Sequence, residues 1–209
     1  MKIEFLGASG VGKTTVAKKV SLIYKDAGRR VFWPRYTLYE RISWKKRNII
    51  KFFYVAGYAL MHPIGTMNWI MNIKKCDMVK KDTTNIIYNG IFLKKMEQTG
   101  TDNDILIFDE GSLQLVWSIL RRIKSDISDE FILYIISFFK LPDKIVVVDA
   151  DTAVIKKRLL ERGKYTPLLD ASDIEEEIDR MRVEQNRIIN ILIKNDMIDR
   201  KNVLFFENN

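Results

Sequence analysis

Lys2-Ile-Glu-Phe-Leu6, followed by Gly7-Ala8-Ser9-Gly10-Val11-Gly12-Lys13-Thr14-Thr15, is the stretch from which the rest of the chain can be read. Gly7, Gly12, Lys13 and Thr14 fill every fixed position of the phosphate-binding pattern G-x-x-x-x-G-K-[ST]. An apolar, strand-like run precedes the pattern and a helix-patterned segment follows it, which is the context the motif requires. The glycines let backbone N–H groups face phosphate oxygens at a distance that a Cβ would obstruct. A helix opening at Lys13 adds unpaired N–H groups and the positive end of its dipole. Lys13 is then placed to reach β- and γ-phosphates and the Thr14 hydroxyl to hold Mg²⁺. Residues 7–15 together form a candidate nucleotide cradle.

Outward from this loop, Val16, Val20, Ile23 and Tyr24 recur at helical spacing, which predicts a helix over 13–27 with Gly28 as its C-cap. Arg30-Val-Phe-Trp33 reads as a second strand stopped by Pro34, which cannot donate to a ladder. Strand, loop, helix, strand is a βαβ unit and predicts a parallel sheet. Further strands are expected at 104–108, 144–148 and 202–206, and helices at 112–123, 128–140, 153–162 and 173–195. Five apolar strands alternating with helices predict a doubly wound α/β domain with a five-stranded parallel sheet and a helical insertion after strand two. No repeat, low-complexity tract or linker divides residues 1–209, so one domain is expected, with the helical region at about 35–100 as acceptor or partner region.

The chain of 209 residues is 47% apolar and 30% charged, a globular balance. One cysteine, Cys76, excludes an internal disulfide, and one histidine, His62, argues against a zinc site of the usual kind. The first residues already belong to a strand, which leaves no room for a signal peptide and predicts a cytoplasmic protein. The net charge of +8 fits either a nucleic-acid or membrane-surface protein or the handling of anionic small molecules. The cations are dispersed, densest at Lys45-Lys46-Arg47 and Arg121-Arg122 outside the first helix, with no aromatic-basic signature, which favours phosphate handling over nucleic acid. Residues 44–71 stand out: Ile49 to Met61 is almost continuously apolar, His62-Pro63 interrupts it, and Trp69-Ile70-Met71 resumes it. The run is too short to span a bilayer. It reads either as a buried helical roof over an acceptor pocket or as an interfacial segment making peripheral membrane contact, its basic flank toward anionic lipid.

Two further constellations carry chemistry. The strand at 104–108 ends in Asp109-Glu110, as a Walker B element does; Asp109 would hold Mg²⁺ and Glu110 would orient or deprotonate the nucleophile. Arg158 and Arg162 lie four apart on a helix and so share a face, with Lys164 on the loop beyond. Cations that close over a transferring phosphoryl group stabilise its charge and exclude water. Arg35, just past strand two, and Arg121 are the cationic candidates for contact with an acceptor.

Phosphate loop, strand-plus-Asp, then strand, helix and Arg158-x-x-x-Arg162-Gly-Lys164 resembles the P-loop nucleoside and nucleotide kinases, thymidylate kinases among them. The resemblance covers roughly residues 1–33 and 104–206. It implies ATP with Mg²⁺ as phosphate donor, a small-molecule acceptor, and a lid at about 158–172 that carries Arg158 and Arg162. The chain departs from thymidylate kinases in two places: Asp109-Glu110 stands where they carry Asp-Arg, and Trp33-Pro34-Arg35-Tyr36 where they carry Arg-Glu-Pro. A Glu directly after the Walker B Asp also suits hydrolysis, so an ATPase or nucleotide switch acting with a protein or membrane partner stands beside the kinase reading. An N-K-x-D guanine-reading motif and an L-S-G-G-Q signature are missing, which argues against a GTPase and an ABC-type ATPase.

Overall fold

The computed structural model describes residues 1–40, 42–101, 103–123, 127–161 and 174–208. Its frame is a five-stranded sheet: β1 (Lys2–Leu6), β2 (Val31–Phe32), β3 (Ile105–Phe108), β4 (Lys144–Asp149) and β5 (Val203–Glu207), in the order β2-β3-β1-β4-β5. Every pairing is parallel. Parallel strands are covered on both faces, so they are written as near-continuous apolar runs. Ile105-Leu-Ile-Phe108 and Ile145-Val-Val-Val148 are such runs, and all eight residues are buried.

Nine helices are described: α1 (Lys13–Asp26), α2 (Pro34–Glu40), α3 (Trp44–Met61), α4 (Pro63–Lys75), α5 (Lys80–Glu97), α6 (Ser112–Leu120), α7 (Asp129–Ser137), α8 (Thr152–Glu161) and α9 (Ile174–Lys194). The chain leaves β1 through α1 for the β2–β3 side, then returns to place β4 on the other side of β1. With right-handed crossovers, that reversal puts the connecting helices on opposite faces. The doubly wound α/β architecture expected from the sequence is the one observed.

Differences are local. Pro34 opens α2 rather than merely ending β2; its ring presets φ for a first helical turn, where its missing N–H is no loss. The helix expected over 112–123 ends at Leu120, and that over 128–140 at Ser137. A 3₁₀ turn at Arg200–Asn202, capped by the Asp199 side chain, precedes β5. α6 is apolar nearly all round (Ser112-Leu-Gln-Leu-Val-Trp117), as a helix buried on all sides must be, and six of its first six residues are buried.

The insertion after β2 divides into α2, α3, α4 and α5. A second apolar cluster of Leu38, Phe92, Met96, Leu106 and Phe108 joins α2 and α5 to β3, with Ile50 and Val55 of α3 against it. The expectation of a buried helical roof is corrected for its outer half: Tyr58 is the one buried residue of α3. Among the described residues, no helix is long and apolar enough to cross a membrane.

Candidate active site

The loop between β1 and α1 has the backbone its glycines were expected to permit. Gly10 and Gly12 sit at φ +93° and +91°, a left-handed region costly for any residue with a Cβ. Gly7 is required for a different reason: a Cβ there would collide with the Val148 carbonyl oxygen of β4. Ala8, Gly10 and Val11 are buried, whereas Ser9, Thr14 and Thr15 are exposed. The Lys13 ammonium is held against the loop, donating to the Gly7 carbonyl at 2.7 Å and the Ala8 carbonyl at 2.9 Å.

The parallel pairing of β1 with β3, Glu4 opposite Phe108, brings Asp109 beside the loop. Thr14 Oγ1 donates to Asp109 Oδ2 at 2.8 Å. Asp109 is only 3% exposed, and its other oxygen accepts from Trp33 Nε1 at 3.0 Å. The Trp33 ring is itself fixed by stacking on Tyr36, centroids 4.5 Å apart. Arg35 reaches both acids, with Nη1 3.4 Å from Asp109 Oδ2 and Nη2 2.9 Å from Glu110 Oε2. Glu110 is half exposed. Thus Trp33, between β2 and α2, and Arg35, in the first turn of α2, supply the two groups that orient the Asp109-Glu110 pair.

Behind this pair lies a buried carboxylate that an apolar reading of β1 passes over. Glu4 is fully buried and caps α6, accepting from Ser112 Oγ at 2.9 Å and from the Leu113 backbone N–H at 2.5 Å. Burial pushes its carboxyl pKa up, against the opposing pull of Lys2, Ser112 and the Leu113 N–H. Gly111 is the only residue type that fits over it, because a Cβ would lie 2.6 Å from Glu4 Oε1. Lys2 Nζ stands 3.6 Å from Glu4 Oε2 and 2.6 Å from Glu97 Oε1, so the buried charges are compensated.

On the other flank, α8 packs against the loop at Gly10 through Ile155 and Leu159. Arg158 donates to the Asn208 carbonyl at 3.0 Å, and Asn208 Nδ2 donates to the Val11 carbonyl at 2.8 Å. Arg158 therefore adjoins the loop, through Asn208. Arg162 and Lys164, and the expected lid beyond Glu161, lie outside the described residues. A cation absent from the sequence reading, Arg182 of α9, grips Asp149 at 2.9 and 3.2 Å and also meets the Ala150 carbonyl and Thr152 Oγ1. The hydrogen bond to Asp149 raises its guanidinium pKa further.

Beside Glu110 opens a cavity of about 330 Å³, walled by α2, α3, α5, α6 and the end of β3. Its polar lining includes Arg35, Lys51, Asn85, Asn89, Gln114 and Arg122. Of the two acceptor candidates, Arg35 lines the cavity and Arg121 does not. Arg121 is half-buried against α9, its Nε 2.5 Å from Glu177 Oε1, and burial lowers its pKa. Its neighbour Arg122 takes the place at the cavity, 3.3 Å from Asp82 and bonded to the Ser118 carbonyl. Gln114, one helical turn beyond Glu110, is buried, and among the described residues its Oε1 has no hydrogen-bond partner. Spacing carried a signal for Gln114, four residues after a site acid at the start of a helix; nothing local separated Arg122 from Arg121.

No protein-family model and no curated protein matches the chain. Among solved structures, it is similar to the YorR protein from Bacillus subtilis in complex with phosphorylated GDP, at 17% identity over 100% of this chain and 86% of that one, TM-score 0.45. It is also similar to deoxyadenosine kinase from M. mycoides with bound dCTP, at 17% identity over 99% and 89% of the two chains, TM-score 0.42. The strand order, the glycine-shaped loop at the head of α1 and the meeting of Thr14 with the acid at the end of β3 are this chain's own observations, and together they make it a P-loop NTPase fold.

Proposed function

We propose that the protein is a phosphotransferase that moves the γ-phosphate of ATP to a small-molecule acceptor. The observation that carries this reading is the cavity of about 330 Å³ with Glu110 and Arg35 on its wall. Its volume is that of a small-molecule site, and it is lined by Glu110, whose neighbour Asp109 accepts from Thr14 at the head of α1. Hydrolysis needs only a water molecule beside the γ-phosphate; a walled chamber for a second substrate is superfluous to it.

In this reading the N–H groups of residues 7–15 and Lys13 bind the phosphates, and Thr14 and Asp109 hold Mg²⁺. The donor set fits that ion. Magnesium is ordinarily held by one or two protein oxygens, with phosphate and water completing the shell. Thr14 Oγ1 and Asp109 Oδ2 already stand 2.8 Å apart. When bound, the ion neutralises charge on the β- and γ-phosphates. Glu110 accepts the proton of the acceptor hydroxyl as that oxygen forms its bond to the γ-phosphorus, the bond to the β-phosphate oxygen breaks, and ADP leaves. An acceptor that is already a phosphate needs no such base. Arg35 spans the acid pair and can turn toward the incoming acceptor. The orphaned Gln114 oxygen asks for a donor, so the acceptor brings an N–H or O–H group into the α5–α6 side of the cavity. Arg158, and Arg162 and Lys164 beyond it, are the cations assigned to the transferring group.

The test is ADP release from Mg·ATP by the purified protein, alone and with nucleosides, nucleoside monophosphates, and free and phosphorylated sugars. Strong stimulation by one class, with a phosphorylated product by mass and loss of turnover in Lys13→Ala, is the expected result. Steady ADP release that no acceptor changes would replace this reading with the ATPase or switch. Full turnover by Lys13→Ala would remove the site itself.

A further inference from the structure

Helices α5 and α6 both line the candidate acceptor cavity, α5 through Asn85, Asn89 and Met96, α6 through Gln114 and Ser118. They pass it in opposite directions. Asp82, in the first turn of α5, meets Arg122, just past the end of α6, at 3.3 Å. At the other end, Glu97 closes α5 and Ser112 opens α6, and both are bonded to Lys2. The two ends are held in different ways. Asp82 and Arg122 are partly open to solvent, and an ion pair in that setting holds little. The end at Lys2 is closed to water: Lys2, Glu4 and Ser112 are buried, and the Glu97 side chain is 5% exposed.

The closed end is a polar network built on β1. Lys2 and Glu4 are two residues apart on a strand and so share one face of the sheet. Lys2 Nζ donates to Glu97 Oε1 at 2.6 Å, to the Lys140 carbonyl at 2.5 Å and to Ser112 Oγ at 3.4 Å, which uses the three donors of an ammonium. The other Glu97 oxygen accepts from the Lys140 backbone N–H at 3.0 Å. Ser112 Oγ in turn donates to Glu4 at 2.9 Å, and Glu4 accepts as well from the Leu113 N–H. The chain Glu97–Lys2–Ser112–Glu4–Leu113 therefore runs unbroken from the last turn of α5 to the first turn of α6.

Burying three ionised side chains is a poor way to gain stability, because apolar residues of the same volume serve as well or better. What a fully bonded buried network supplies is one fixed geometry. Here that geometry is the corner between β3 and α6. Glu110 stands two residues before Ser112 and Gln114 two residues after it, and both lie on the cavity wall. The corner has no slack, since the Gly111 backbone lies so close to the Glu4 carboxylate that a Cβ would not fit between them. The phosphate loop, at the far end of β1, takes its shape from other contacts, with Val148 over Gly7 and Asn208 against Val11.

We infer that Lys2 and Glu4 are positioning residues for the acceptor: through Glu97 and Ser112 they fix the spacing of α5 and α6 and hold Glu110 and Gln114 toward the cavity. The kinetic side of this inference rests on the phosphotransferase reading, and the structural side does not. Glu4→Gln is the sharpest perturbation. A carboxylate accepts at both oxygens, whereas a carboxamide accepts at one end and donates at the other. Its N–H groups must face either the Leu113 N–H or the Ser112 hydroxyl and the Lys2 ammonium, so the first turn of α6 shifts. Ser112→Ala breaks the same chain at its middle and gives a second reading. Both are assayed well below their Tm, with the acceptor that stimulates ADP release in wild type and with the non-hydrolysable analogue AMP-PNP for donor affinity. Acceptor kcat/KM is expected to fall about ten- to a hundredfold, what misplacing a reacting group costs, with AMP-PNP affinity at the wild-type value. Wild-type acceptor kinetics in both variants, or a loss that falls equally on AMP-PNP, overturns the inference. Hydrogen–deuterium exchange reads the clamp with no acceptor present. Amides of 85–97 and 112–120 should exchange faster in both variants, while those of 152–161 keep wild-type rates. Rates that stay unchanged, or rise alike in all three segments, overturn it. Wild-type ADP release that no acceptor changes removes the phosphotransferase reading instead, and the exchange result then decides the clamp by itself.

Discussion

Trp33→Phe isolates the support of Asp109 from everything else at the site. The substitution keeps an aromatic ring to stack on Tyr36 and removes the indole N–H that donates to Asp109 Oδ1 at 3.0 Å, together with part of the ring's bulk. Both residues are buried, at 6% and 3% exposure, so water cannot replace the lost donor without rearrangement. A hydrogen bond to a charged group contributes about 1.5–3 kcal/mol, and an abandoned buried acceptor costs its desolvation on top of the lost bond. We expect a loss near 2 kcal/mol, roughly 4–8 °C in Tm for a chain of this size. Urea unfolding followed by far-UV circular dichroism gives the first quantity. A double-mutant cycle with Asp109→Asn then separates the pair from the bulk of the ring: the variants should couple by about 1 kcal/mol, because Trp33→Phe removes less once the charge is gone. A loss within about 0.5 kcal/mol of wild type, the range of an ordinary surface substitution, would refute the assignment of Trp33 as the group that fixes the acid.

Gly7→Ala drives a Cβ into the Val148 carbonyl, a backbone atom that cannot swing aside; overpacking of this kind costs about 1–3 kcal/mol, and an unchanged melting temperature would show that β4 yields more easily than its ladder implies. Glu4→Gln tests the buried cap. Burial raises the Glu4 pKa, so between about 4.3 and the folded value the native state binds the extra proton, and its stability falls as pH rises. Glutamine abolishes that slope, and urea unfolding at pH 4.5 and 7 should show wild type losing ground to the variant at the higher pH; wild type gaining ground instead would mean that Lys2 outweighs burial. Asn208→Ala removes the donor to the Val11 carbonyl. It should cost about 1 kcal/mol of stability and measurably weaken titration by a nucleotide analogue, and unchanged affinity would show that the loop holds its shape without this brace.

The parts of the molecule written in local pattern were legible. The strand before the loop, the glycines at positive φ, the helix after it and the buried runs of β1, β3 and β4 follow from periodicity and steric rules within a few residues. The layout of the sheet followed because parallel strands joined by helices admit few arrangements. What escaped depended on contacts between distant segments. Glu4 looks like an interruption in an apolar strand until Ser112 and the Leu113 N–H arrive over it from more than a hundred residues away. Trp33 read as the end of a strand, and its indole became a partner for Asp109 only once Pro34 started a helix there. Arg121 and Arg122 are indistinguishable in sequence, yet the end of α6 turns one to Glu177 and the other to the cavity. The apolar run at 49–61 suggested burial, and periodicity alone could not say that half of its surface would remain outside the chain's own core.

The placement of β1 has a consequence for how the protein is made. It is the first strand to be synthesised and the middle one of the finished sheet. Its two neighbours come late: Lys2 pairs opposite Leu106, and Ile3 opposite Lys144. During translation, both edges of an apolar strand therefore stay unpaired until the whole helical insertion has emerged, and one edge stays open until β4 does. Loop closure over such separations delays the pairing that defines the sheet. The phosphate loop hangs from the end of this strand, and its binding geometry can only mature after Val148 of β4 has closed over Gly7. Nascent chains stalled before residue 144 should accordingly lack a competent loop and be the species most in need of a chaperone.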